Sequence, residues 1–168
     1  MQSKVVIMTV SEIVKKMIDY SKGNLHDINH FMKVYAYAKV IGECENLDKE
    51  TQTILEVSAI VHDIACPLCR EKYGNTNGKY QEIEGEILTA EFLKDTGYSD
   101  EFINHVIFLV GHHHTFKDVK DIAHQILIEA DYIVNAEESK YSKSNIENTM
   151  NNIFKTATGT SLLKSIYG

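Results

Sequence analysis

The sequence predicts an all-α fold of about six to eight helices. Three observations carry this. Proline occurs once in 168 residues, at Pro67. Alternating apolar–polar runs, the pattern of half-buried strands, are scarce. Apolar residues instead recur three and four apart, which lines one face of a helix. The length fits one domain over 1–168, with closing helices over 144–167.

The first helix spans Val10 to Tyr20, with Ser11 as N-cap and Ile13, Val14, Met17 and Ile18 as its apolar stripe. Gly23-Asn24 breaks it. A second helix runs from about Asp27 to Glu43, and His30, Val34, Ala38 and Ile41 share one face. The third begins near Asp48 and reaches His62-Asp63, with Ile54, Val57, Ile60 and Val61 inward; Pro67 prevents it from continuing. Cys66 to Tyr80 reads as a polar, glycine-punctuated loop of the kind that borders active sites. The fourth helix covers about Gln81 to Asp95, with Ile83, Ile87, Ala90 and Leu93 inward, and Gly97 ends it. The fifth covers about Asp100 to His113, capped by Ser99 or Asp100. The sixth covers about Ile122 to Glu138, and a last pair lies near Ser144 to Lys155 and Thr160 to Tyr167.

Composition narrows the function. The net charge is −7 and no basic stripe is visible, so a nucleic-acid polymer is not the expected partner. A small phosphorylated ligand fits, because a metal ion can supply positive charge locally. No apolar run approaches the roughly 20 residues of a membrane span. The patch Val5, Val6, Ile7 and Met8 is too short for a signal-peptide core. A cytoplasmic monomer or homodimer is the expectation. The three cysteines do not suggest a disulfide framework. Cys66 and Cys69 form a lone C-x-x-C, which reads either as a redox or zinc element or as a pair of packed thiols.

Eight histidines in an acidic protein point to chemistry, and their placement matters more than their number. His62-Asp63 sits in the apolar run Ser58 to Ala65. Asp131 sits in another, Ile126 to Val134, and shares a helical face with Leu127 and Val134. His30 lies on the apolar face that continues through Val34 and Ala38. A charged aspartate inside an apolar run is costly to bury unless paired or bound to a cation. Two inward carboxylates and two inward imidazoles satisfy one another around one divalent ion. That donor set suits Zn, Fe, Mn, Co or Ni, with Mg also admissible.

The order His30, His62-Asp63, Asp131 resembles the H…HD…D pattern of the HD superfamily. His30-Phe31-Met32-Lys33-Val34 resembles the family's H-x-x-[RK]-V segment. Ala59 to Ile64 resembles its apolar-apolar-HDI segment, and Glu129-Ala130-Asp131 its later alanine-aspartate segment. The resemblance runs from about His26 to Glu137. It implies an all-α helical bundle holding a metal at His30, His62, Asp63 and Asp131, and hydrolysis of phosphate esters. Members of the superfamily include nucleotidases, cyclic-nucleotide phosphodiesterases and alarmone hydrolases. The expected substrate is therefore a small phosphate ester, a nucleotide or related compound.

One departure bears on a second metal. Two-metal members carry a histidine on the helix after the HD helix, which would fall near Gln81-Glu82. Glu82 either replaces it or is a first-turn residue favoured by the helix dipole. The triple His112-His113-His114 resembles the family's later histidine motif, with a register ambiguous by one residue. Glu82, His112 and His113 are thus the second-metal candidates. His26 either lines the cleft or starts a helix capped by Asp27. The expected catalytic residues are Asp63, as metal ligand and guide of the water's proton, and His112 or His113. Lys33, Arg70, Lys72 and Lys79 are the expected cationic rim for the phosphate. Two rival functions share these residues: a nucleotide or metal sensor without turnover, and a di-iron oxygenase, which needs the histidine absent near Gln81-Glu82.

Overall fold

The computed structural model describes residues 6–168; Met1 to Val5, including one residue of the N-terminal apolar patch, lie outside the described residues. The described chain forms nine helices and no strand. They are α1 (Val10–Tyr20), α2 (Leu25–Cys44), α3 (Lys49–Val61), α4 (Cys66–Tyr73), α5 (Gly78–Leu93), α6 (Asp100–Val110), α7 (Ile122–Glu138), α8 (Lys143–Asn152) and α9 (Ala157–Tyr167).

Side-chain caps set most of the starts. Asn24, Asp48, Ser99, Asp121, Ser142 and Thr156 each accept a backbone N–H from the first turn of the helix that follows. The α1 cap is Thr9 rather than Ser11. Thr9 and Glu12 form a reciprocal capping box, which satisfies more backbone donors than Ser11 alone would.

The centre of the bundle is α3 against α2 and α7, with α1 and α6 covering the remaining sides of α3. Every residue from Ile54 to Val61 is buried, Glu56 and Ser58 included. The same holds from Ala123 to Asp131 in α7. Helix α9 packs on α7 and α2 and contributes Leu163 to the core.

Two expectations are corrected. The polar segment after Pro67 is not one loop. Cys66–Tyr73 is a helix, with proline in its first turn, where no N–H is needed, and Gly74 at its end with φ +71°. On α5 the inward face is Gln81, Glu84, Gly85, Thr89 and Leu93, while Ile83 and Ile87 are exposed. The reason is close approach. A Cβ on Gly85 would stand 2.9 Å from Val110 Cγ1, so the small face of α5 meets α6 and its isoleucines turn outward.

Candidate metal centre

Four side chains from three parts of the chain converge at the heart of this bundle. His30 comes from the second turn of α2. His62 and Asp63 come from the turn that ends α3, and Asp131 from the middle of α7. His30 Nε2 lies 3.1 Å from Asp63 Oδ2, 3.1 Å from Asp131 Oδ1 and 3.2 Å from His62 Nε2. His62 Nε2 lies 3.3 Å from Asp63 Oδ2 and 3.2 Å from Asp131 Oδ1.

Each imidazole is oriented from behind. Nδ1–H of His30 donates to Glu138 Oε2 at 2.7 Å, and Nδ1–H of His62 donates to the Ala59 carbonyl at 2.6 Å. Both therefore present Nε2 inward. A histidine backed by a carboxylate or carbonyl is the usual way a protein fixes the tautomer of a metal ligand. Glu138 is in turn 3.5 Å from Lys33 Nζ.

Burial and charge oppose one another here. Burial pushes the His30 and His62 imidazoles down, but Asp131 and Asp63 more than offset it, raising His30 to about 11 and His62 to about 10. Burial pushes Asp63 and Asp131 up, yet the histidines, His62 foremost, hold both below the usual carboxylate range.

The donor set fits a divalent ion. Bonds of about 2.0–2.2 Å to nitrogen and oxygen place neighbouring donors roughly 2.8–3.6 Å apart, from octahedral to tetrahedral geometry. The observed separations fall in that range. A second observation supports the fit. His113 is fully buried, its Nδ1–H donates to the Val110 carbonyl at 2.6 Å, and its Nε2 has no hydrogen-bond partner. That Nε2 faces Asp63 Oδ1 at 3.5 Å. Asp63, His113 and His114 also offer one donor each within 4.8 Å of one another, so Asp63 stands between two clusters. It is also the most open of the first four ligand candidates, its side chain 27% exposed against 9% or less for the others.

Two of the three consecutive histidines, His113 and His114, offer donors beside Asp63. His113 points at the site. His112 turns away, with Nδ1 on the Phe108 carbonyl, its ring stacked on Phe108 and its own carbonyl bound by His124. The Glu82 carboxylate is not at the cluster. It accepts from His114 N–H at 3.1 Å and Thr115 Oγ1 at 3.0 Å, and so anchors the turn that carries the histidines. Gln81 is the inward residue instead: its Oε1 faces His114 Nε2 at 3.1 Å, and its Nε2 donates to the Thr76 carbonyl. Burial and the neighbouring His113 hold His114 down at about 4, so it is a neutral donor to Gln81.

A cleft opens above the cluster between α2, α4 and the end of α7. Of the expected rim, His26 and Arg70 line it. Arg70 is held there by Asp27, with Nη1 and Nη2 at 2.9 and 2.5 Å from the two carboxylate oxygens. Lys33, Lys72 and Lys79 do not line it. Lys33 lies against Glu137 and Glu138, and Lys72 donates to Glu84. Lys79 is exposed on the first turn of α5. Cys66 lines the cleft, while Cys69 is buried beneath it, and neither is bridged.

The family model described as HD domain covers residues 27–136. The chain belongs to the HD domain family. Its fold is similar to a crystal structure described as a predicted HD superfamily hydrolase from an uncultured Thermotogales bacterium, with a TM-score of 0.69 and 22% identity over 94% of this chain and 84% of that one. No curated protein matches the chain. No helix among the described residues is long and apolar enough to cross a membrane.

Glu138 and Asn135 were not expected at this site from the sequence, and Gln81 and His114 were named there without a role. Glu138 was within reach, since it lies seven residues after Asp131 and therefore on the same helical face.

Proposed function

We propose that this HD domain protein hydrolyses a small phosphate ester, with a divalent ion held by His30, His62, Asp63 and Asp131. The observation that carries the reading is the convergence of three buried donors and the half-buried Asp63 carboxylate at ligand spacing beside the partnerless Nε2 of His113.

An ion in this position supplies positive charge to a phosphoryl oxygen and lowers the pKa of water toward neutrality. The chain's own residues do the rest. Glu138 and the Ala59 carbonyl hold the two imidazoles in place. Asp63, open to the cleft, orients the attacking water through Oδ1, and His113 Nε2, on the same side, takes up its proton. Arg70, gripped by Asp27, keeps free N–H groups for the phosphoryl oxygens, whose charge spreads in a loose transition state. Were a second ion bound, Asp63, His113 and His114 would be its donors, and His113 Nε2 would then hold that ion in place of the proton.

The test combines metal analysis with turnover. The protein is loaded separately with Mn, Co, Ni, Fe, Mg and Zn and assayed on a panel of phosphomonoesters and diesters. Asp63→Ala is expected to abolish both bound metal and turnover while the helical circular dichroism spectrum persists. Turnover that survives in Asp63→Ala or in chelator-stripped protein refutes the reading. Metal binding without any turnover favours the sensor.

A further inference from the structure

The cleft above the metal cluster has a composition that selects its substrate. Its volume is about 210 Å³. Pockets for drug-sized ligands span roughly 300–1,000 Å³ and are lined mostly by apolar and aromatic side chains. This one has no aliphatic or aromatic hydrocarbon side chain in its wall; apart from Cys66, every lining residue is polar or charged. A purine or pyrimidine is held by stacking on an aromatic ring or by an apolar slot. The cleft has no apolar slot, and of its three rings His30 belongs to the metal cluster and His114 is bonded to Gln81, which leaves only His26 at the rim. Tyr73 and Tyr80, on the flanking helices α4 and α5, stack on each other at 4.0 Å, and Tyr73 donates to Glu84. They are already committed to the fold.

What the wall offers instead is a ladder. Asp131, Asn135 and Ser139 lie four residues apart from the middle of α7 to its C-cap, and all three line the cleft. A step of four residues rises about 6 Å along a helix. Starting from the carboxylate of the metal cluster, an amide follows at about 6 Å and a hydroxyl at about 12 Å. Thr76 lines the same cleft from the turn between α4 and α5. Among the described residues the side chains of Asn135 and Ser139 make no hydrogen bond within the cleft, so their donors and acceptors are available. An amide both donates and accepts, which matches adjacent hydroxyl groups.

We propose that the alcohol half of the substrate is a compact polyhydroxylated chain or ring, so that the ester is a sugar or polyol monophosphate and not a nucleotide, with its hydroxyls bound by Asn135, Ser139 and Thr76. This rests on the phosphohydrolase reading above. The water oxygen forms the new bond to phosphorus, the ester P–O bond breaks, and the leaving alkoxide takes up a proton. The products are inorganic phosphate and the free polyol.

The test compares metal-loaded protein on glycerol 3-phosphate, pentose 5-phosphates, hexose 6-phosphates, the nucleoside 5′-monophosphates and p-nitrophenyl phosphate. The best sugar or polyol ester is expected to exceed the best nucleotide by about tenfold or more in kcat/KM, because unpaired cleft groups disfavour an alcohol that cannot bond them. Asn135→Ala is expected to shrink the ratio of kcat/KM for that ester to kcat/KM for p-nitrophenyl phosphate by about tenfold. A nucleotide preference overturns the inference and leaves the phosphohydrolase reading standing, as does an Asn135→Ala ratio equal to the parent's. Failure to hydrolyse any ester, p-nitrophenyl phosphate included, with every metal overturns both.

Discussion

At the scale of single residues, the proposed metal cluster depends on side chains outside its four donors. Glu138 is the clearest case. Its Oε2 receives Nδ1–H of His30, and replacing it with glutamine keeps an acceptor but removes the charge. His30 then stays in place and becomes a weaker ligand. Supporting groups of this kind typically contribute 10- to 100-fold in metal affinity. Glu138→Gln is therefore expected to weaken metal binding by about 10-fold, and Glu138→Ala by more, both measured by competition with a chelating dye. Equal affinity in all three proteins would show that Glu138 does not support His30. The sequence made His30, His62, Asp63 and Asp131 legible because each is a charged or polar residue on an apolar face. It could not choose between His112 and His113, because both follow the same helix and only the angle of the turn after Val110 decides which faces inward.

At the scale of elements, caps and apolar periods made most helix positions legible. The failures have physical causes. Helix α4 is short and polar, and its proline reads as a stop although it occupies the first turn. Helix α5 carries its isoleucines outward, because Gly85 must approach Val110, Gln81 faces the cleft and Glu84 accepts from Lys72 and Tyr73 of α4. A third element-level feature lay outside the sequence reading: the fully buried Glu129 of α7 caps α9 from a distance. Its carboxylate accepts Lys155 N–H at 3.0 Å, Thr156 N–H at 3.1 Å, the Thr156 hydroxyl at 2.5 Å and Gln125 Nε2 at 2.6 Å. Glu129→Ala strands these donors without an acceptor, and buried unsatisfied groups cost about 1–3 kcal/mol each before relaxation. We expect a loss of about 2–4 kcal/mol in chemical denaturation. A loss below about 1 kcal/mol would mean that α9 reseats on other acceptors.

At the scale of the whole molecule, the cluster joins helices that are distant in sequence, so ion binding and folding are linked. Without an ion, His30 stands at about 11 and His62 at about 10, so both imidazoles carry protons at neutral pH. In the unfolded chain they titrate near 6.5. Their contribution to stability is thus fully present below about pH 6.5 and is lost as pH rises toward the folded values. Asp63 and Asp131 run the other way: held below their ordinary values, they contribute above about pH 4 and fade in stronger acid. An ion held by Nε2 of His30 and His62 would take the place of their two protons. Binding must therefore release protons, and apparent affinity must rise with pH, by about 10-fold per unit for one proton and about 100-fold for two. Chelator competition at about pH 6, 7 and 8 reads this slope directly. The melting temperature gives an independent reading. Metal at 100 times its Kd stabilises the fold by about 2.7 kcal/mol, so at fixed metal the gap between loaded and chelated protein should widen from pH 6 to pH 8. A gap that stays constant, with affinity flat across the same range, would mean that His30 and His62 are already neutral in the ion-free protein, and that the carboxylates beside them do not hold their protons.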